Sequence, residues 1–277
     1  MPRNVNTADA VIAIPIYTTN LTSKEIGSIN QCIKILSDYS IFFIAPFNLD
    51  TKFYEEKFGN ILIKRFPDKY FTDINSYNKL LLQPFFYNFF KKYTYLLIYQ
   101  SDAWVFKNEL SYWCNKGFDF IGAPWFEGYI HGETNAKMTG VGNGGFSLRN
   151  ISKARRILYS FSYIDSPIAV LKKRIKLIIG PYTFLTQLWA IILDLTIRNN
   201  TFYLFNNFSG NEDAFWSVFA GSKFIWYSVP PPEIAMYFSF ECNPSLLFDK
   251  TNKNLPFGCH AWDKYDPRFW SQFIEFN

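Results

Sequence analysis

The sequence predicts an α/β domain built on a mainly parallel sheet, and three observations carry that expectation. Short apolar runs alternate with longer runs of helical spacing through the first hundred residues. The runs at 11–15 and 95–99 are apolar at almost every position. Hydrophobic residues make up 49% of the 277, enough for a large core. A strand that is apolar on both sides is buried on both faces, as happens in a parallel sheet covered by helices.

Taken in order, Val11 to Pro15 reads as the first strand. Thr22 or Ser23 caps a helix carrying Ile26, Ile29, Ile33 and Leu36, close to the 3–4 spacing of one buried face. Ile41 to Ala45 is the second strand, stopped by Pro46, and Ile61 to Arg65 a weaker third. Asp73 to Tyr93 is mostly helical with a kink or break at Pro84, and Tyr95 to Tyr99 is the fourth strand. Gly117 to Trp125 (GFDFIGAPW) reads as a strand entering a tight turn. Gly140, Gly142, Gly144 and Gly145 then precede a short β-type run ending at Arg149, and 151–160 is helical. A long apolar and basic stretch follows, broken at Gly180-Pro181, and is read as a helical insertion around 166–198. Gly210 and Asn211 start a helix that runs from Ala214 to Ala220 and is closed by Gly221. With no repeat and no low-complexity linker, one domain over 1–277 is expected, in two packed halves of about 10–125 and about 126–277.

Composition narrows the function. Charged residues at 18% and aromatics at 21% exclude disordered, collagenous and coiled-coil chains. The net charge, 28 − 23 = +5, favours phosphorylated ligands or an anionic membrane surface and is too small to make nucleic acid the partner. The four cysteines lie far apart without a CxxC pair, and the first ten residues are polar, so a reduced cytoplasmic setting is expected.

Four groups of residues bear chemistry. Ligands of parallel sheets bind beyond the carboxyl ends of the strands, and Gln100-Ser101-Asp102 lies there. Asp102 suits a hard divalent cation bridging a diphosphate, or else caps the next turn. The glycine-rich run is neither a P-loop nor a dinucleotide fingerprint; Gly144 and Gly145 admit close backbone approach, and Asn143 and Arg149 add groups for hydroxyls or phosphate. Glu212 and Asp213 suit a proton-accepting role, although two acids in a first helical turn are also explained by the macrodipole. His260, among the aromatics of Phe257 to Trp262, is either a packed imidazole or a late ligand to a metal at Asp102. The other histidine, His131, is unassigned.

The stretches IPIY (14–17), SYNKLL (76–81), YLLIYQSDAWVF (95–106), YWCNKGFDFIGAPW (112–125), VGNGGFSLR (141–149), NEDAFWS (211–217) and PFGCHAW (256–262) resemble, in order, a family of bacterial glycosyltransferase-like proteins of the GT-A type, catalogued as a domain of unknown function. The resemblance covers most of 11–262. It implies a single GT-A-like domain, a nucleotide-sugar donor, a glycan or lipid-linked glycan acceptor, Mn²⁺ or Mg²⁺ as cofactor, and a place in bacterial surface polysaccharide synthesis. Pro15 and Tyr17 fall where such enzymes line the base pocket, and Tyr77, Asn78, Asn143, Gly144 and Gly145 fall in the donor-side motifs. Asp102 matches the metal-binding acid of the Asp-x-Asp pattern, with Gln100 in place of its first acid, which leaves metal dependence open. His260 matches a late metal ligand. Asp213 is implied as the base of an inverting transfer, and Glu212 as its partner positioning the acceptor. Trp125 and Trp262 are candidates to stack on sugars. The alternatives are a nucleotidyltransferase acting on sugar phosphates, disfavoured because Pro15 to Ser23 contains no glycine, and a non-catalytic glycan-binding protein.

Lys172, Lys173, Arg174 and Lys176 precede the apolar stretch Leu177 to Ile197, interrupted by Gly180-Pro181, Gln187 and Asp194. Two readings stand side by side: a segment lying on the anionic inner face of the cell membrane, and an ordinary helical hairpin packed on the core.

Overall fold

A computed structural model of the chain describes residues 6–59, 61–128, 136–204, 208 and 210–275; His131 lies outside them. Among these residues the strands are β1 (Ala10–Pro15), β2 (Ser40–Pro46), β3 (Leu62–Phe66), β4 (Tyr95–Tyr99), β5 (Ala103–Val105), β6 (Phe120–Ile121), β7 (Ala123–Phe126), β8 (Met138–Gly142), β9 (Phe146–Asn150), β10 (Ser239–Phe240) and β11 (Gly258–His260). The central sheet has six strands in the order β3-β2-β1-β4-β9-β6. Its first four run parallel, and β9 is antiparallel to both β4 and β6. The expected mainly parallel α/β sheet is therefore present, and β1 and β4 are buried at every residue.

The chain winds outward from β1 through β2 to β3, then returns to lay β4 on the other side of β1. The carboxyl ends of β1 and β4 thus flank the point where the winding reverses, the usual ligand crevice of an open parallel sheet. Pro15 ends one strand and Tyr99 the other, so Tyr17 and Gln100 to Asp102 lie at that crevice.

Helices fasten the crevice. In α1 (Ser23–Ile35), Thr22 is the N-cap: its hydroxyl accepts the Glu25 N–H at 3.2 Å, and Glu25 Oε2 accepts the Thr22 N–H at 2.8 Å. The other carboxylate oxygen of Glu25 accepts from the Ser101 hydroxyl at 3.0 Å, tying the helix start to the strand end. The buried face of α1 is Ser28, Ile29, Cys32 and Leu36, whereas Ile26 and Ile33 are only half-buried. Two small residues let the helix approach the sheet more closely than an all-isoleucine stripe does. The segment 73–93 forms α2 (Ile74–Leu80) and α3 (Pro84–Phe89), with the break at Pro84 as expected.

Two local expectations need correction. The GAPW segment is not a tight turn: β7 pairs antiparallel with β8, with an irregularity at Trp125/Phe126. Gly122 sets the crossing, because a Cβ there would lie 1.7 Å from the carbonyl oxygen of Gly142. The helix at Glu212–Ala214 continues through wide π-type turns at Phe215–Ala220 into Gly221–Lys223, so Gly221, at φ −61°, does not close it.

A further sheet, in the order β10-β11-β5, was not foreseen. It crosses the division near 125: β5 from the first half joins it, as β9 from the second half joins the central sheet. Aromatic rings weld the two, with the Phe146 ring 5.9 Å from that of Tyr99, 5.3 Å from Phe238 and 5.4 Å from Phe257. Each such fully buried Phe contributes roughly 1.5–3 kcal/mol of transfer free energy.

The expected insertion is a hairpin of two helices, α4 (Pro167–Ile175) and α5 (Pro181–Leu193). It is not packed on the core. Val170 is the only buried residue from Asp165 to Arg198.

Candidate functional site

Three strands bring three titratable groups together. In the small sheet His260 pairs with Ala103 of β5, and Phe240 of β10 pairs with Cys259. This register sets Glu241, one residue past β10, and Asp102, one residue before β5, on either side of the His260 ring. Glu241 Oε1 lies 3.0 Å from Nδ1, and Asp102 Oδ1 lies 3.1 Å from Nε2. Gln100 Oε1 is also 3.1 Å from Nε2.

Burial alone lowers the basicity of His260, but the carboxylates of Asp102 and Glu241 outweigh it and push its pKa up to about 10. The two carboxylates thus favour the imidazolium, with both N–H groups donating, and a cation taking Nε2 would displace its proton. Burial alone raises the Asp102 carboxyl; the charge and hydrogen bond of His260 hold it below its usual value. The Asp102 side chain is 41% exposed, open to a ligand, whereas that of His260 is 13% exposed. Tyr17, 61% exposed, stands close by: burial of its hydroxyl and the charges of Glu25 and Asp102 raise its pKa.

The glycine-rich turn joins this group to a second one. The Gln100 N–H donates to the Gly145 carbonyl at 2.8 Å, the Gly145 N–H to Asn143 Oδ1 at 2.9 Å, and the Asn143 N–H to Asp213 Oδ2 at 2.8 Å. Asn143 takes φ 86°, a left-handed conformation in which Asn is among the better-tolerated residues. A Cβ at Gly145 would lie 2.0 Å from His260 Nε2, and one at Gly144 would lie 2.6 Å from Glu212 Oε1. These glycines are thus required by an imidazole and a carboxylate packed on the turn. The Asn143 Nδ2 amide is buried without a hydrogen-bond partner, a donor available to a ligand.

Glu212 and Asp213 diverge, as adjacent helical residues must. Asp213 is 5% exposed and accepts the N–H groups of Asn143 and Ala214, each at 2.8 Å. Burial raises its pKa, the two N–H groups lower it, and the Glu241 charge raises it further. Glu212 is 1% exposed and receives Arg149 Nη2 at 2.7 Å. Burial pushes the Glu212 carboxyl up to about 7 against the pull of Arg149, while the same contact keeps Arg149 protonated; the short contact is that of an ionised pair. Arg149 also donates to the Ser147 hydroxyl and, at 3.2 Å, to the Tyr87 hydroxyl. Fully enclosed, it is not the phosphate or hydroxyl ligand its sequence context suggested.

The remaining candidates sort by position. The Tyr77 hydroxyl is buried near Gln100, Arg149 and Glu212. Asn78 Nδ2 donates to Asn211 Oδ1 at 3.3 Å, holding α2 to the start of the Glu212 helix. Pro15 is buried as the last residue of β1. Trp125 is half-buried with its ring packed on Gly142, where a Cβ would lie 1.8 Å from it, and Trp262 is 4% exposed against Trp104. Glu241 was missed. Its only signal is a lone acid directly after an apolar run, and the pairing that carries it to His260 joins strands far apart in sequence.

Among the described residues no group of three or more His, Cys, Asp or Glu side chains is arranged to hold a metal ion. A smaller donor set fits one. The Nε2 proton of His260 lies between a carboxylate and an amide oxygen, donors suited to a hard divalent cation. Glu241 at Nδ1 is the outer carboxylate that a ligating histidine usually has.

A family model described as "Protein of unknown function (DUF5672)" matches residues 60–260. No curated protein matches the chain. Among solved structures, mouse xyloside xylosyltransferase 1 is similar at 13% identity and TM-score 0.49, over 91% of this chain and 97% of that one. The glycosyltransferase GlyE of Streptococcus pneumoniae is similar at 12% identity and TM-score 0.47, over 98% of this chain and 62% of that one. Core-mannan synthase A of Aspergillus fumigatus, in its Mn/GDP form, is similar at 8% identity and TM-score 0.37, over 53% of this chain and 60% of that one. The chain thus spans less than two thirds of the latter two.

Proposed function

The chain belongs to the DUF5672 family, and from that premise and the geometry of the crevice we propose that it is a GT-A-type glycosyltransferase, moving a sugar from a nucleoside-diphosphate donor to a hydroxyl of a glycan or lipid-linked glycan. One observation carries the reading. A single glycine-rich turn links, by three hydrogen bonds, the strand end bearing the exposed Asp102 to the helix start bearing the buried Asp213. A charge-binding group and a proton acceptor therefore stand on either side of one backbone at the sheet's switch point.

The roles follow from environment. Asp102, Gln100 and the Nε2 of His260, once its proton is displaced, would hold a divalent cation, which would supply neutralisation of the charge growing on the leaving diphosphate. Tyr17 and Pro15 border the nucleoside, and the free amide of Asn143 donates to a sugar hydroxyl. Asp213 takes the proton of the acceptor hydroxyl as its oxygen bonds to the anomeric carbon, the bond to the phosphate oxygen breaks, and the nucleoside diphosphate leaves with inversion. Glu212, paired with Arg149, positions the turn from behind.

Incubation with a panel of nucleotide sugars and glycan acceptors tests this. Free UDP or GDP together with glycosylated acceptor is expected. Pyrophosphate would instead indicate a nucleotidyltransferase, and glycan binding without any release a non-catalytic module.

A further inference from the structure

The helical hairpin of α4 and α5 is built inside out. On α4 the exposed apolar residues Ile168, Leu171 and Ile175 share one face, with Val170, the only buried residue, roughly opposite. On α5 the polar Thr183 and Gln187 are half-buried, and Arg174 of α4 donates to Gln187 at 3.5 Å. The outward face of α5 carries Leu185, 65% exposed, and Trp189, 63% exposed. At the tip, Ile179 is 89% exposed. A water-soluble surface helix shows the opposite arrangement.

The projection is firmly held. At its neck Asn199 accepts the Asp165 N–H at 2.7 Å and donates to the Asp165 carbonyl at 2.9 Å. Arg174 is tied to Asp194 at 2.7 Å, linking the first helix to the end of the second.

Charge selects the occupant. Residues 167–193 contain Lys172, Lys173, Arg174 and Lys176 and no Asp or Glu. Lys172 and Lys176 are exposed and sit one above the other, within about 80° of the apolar stripe of α4 at 100° per residue. There their stems flank inserted apolar side chains while their ammonium groups reach lipid phosphates. No described helix is long and apolar enough to cross a membrane. The 13 residues of α5 span about 20 Å, against a hydrocarbon core of about 30 Å.

We propose that the α4–α5 hairpin is a membrane-docking element that inserts its apolar face into one leaflet of an anionic bilayer, with Lys172 and Lys176 at the headgroups. The test is flotation of the full chain with phosphatidylserine–phosphatidylcholine vesicles and with phosphatidylcholine vesicles alone. The wild type should float with the anionic vesicles and bind the neutral ones far more weakly. Replacing these two lysines by serine should lower partitioning roughly 25-fold, at about fivefold each. The pair Leu185→Ser and Trp189→Ser should abolish flotation with both, and since all four positions are exposed the melting midpoint should hold. Failure of the wild type to float overturns the proposal, as does unchanged binding by the lysine variant. A vesicle-independent dimer that the Leu185/Trp189 variant returns to monomer would make the face a self-association surface instead.

Discussion

Glu241 and Asp102 grip the His260 ring from opposite ends, one 3.0 Å from Nδ1 and the other 3.1 Å from Nε2. An imidazole so clamped has its orientation set before any ligand arrives, which is what an outer carboxylate does for a ligating histidine. Glu241→Gln keeps the shape and removes the charge. We expect Mn²⁺ affinity, followed by calorimetry, to fall about 10- to 100-fold, with little change in melting temperature. An unchanged affinity would exclude the outer-carboxylate role.

Gly145 allows that clamp. Because a Cβ would lie 2.0 Å from His260 Nε2, Gly145→Ala must displace a ring that cannot swing away without leaving both carboxylates. The variant should fold and lose most of its transfer activity. Full activity would mean that the ring can move without consequence.

The buried pair of Glu212 and Arg149 predicts a stability effect more than an acceptor effect. Removing one partner leaves a charge uncompensated in the core, a loss of about 3–5 kcal/mol. Glu212→Gln should therefore lower the urea midpoint strongly, and Arg149→Met added to Glu212→Leu should recover part of the loss. A variant that melts normally and only raises acceptor KM would return Glu212 to the acceptor site.

Asp213 must be ionised to accept a proton, and burial raises its pKa from the ordinary 3.8. Activity is present above the folded pKa and lost as pH falls through it. The acid limb of the kcat/KM profile should thus lie above pH 3.8. Asp213→Asn should lower kcat by about 10²–10⁴-fold and abolish the limb while nucleoside diphosphate binding is retained. A limb at or below 3.8, or one that survives in the variant, contradicts the assignment.

The parallel strands, the break at Pro84, a helix cap at Thr22 or Ser23 and the place of Asp102 were legible because they depend on local periodicity and chain punctuation. The meeting of Asp102 with His260 was one of two readings of that histidine, and family resemblance favoured it; nothing in their own spacing announces it. Glu241 and the small sheet escaped because their pairing joins residues far apart in sequence. Arg149 misled for a different reason: a basic residue beside glycines suggests an anion site until a buried acid is seen to take it. The hairpin's composition was visible, but only the structure shows its apolar face turned outward.

The most direct test of the central claim is a transfer assay read by mass spectrometry on the acceptor, comparing wild type with Asp102→Asn and Asp213→Asn under one donor and acceptor set. The account predicts an added sugar mass with matching nucleoside diphosphate release in the wild type. It also predicts neither product from either variant beyond about a hundredth of that rate. Transfer by both variants at the wild-type rate would contradict it.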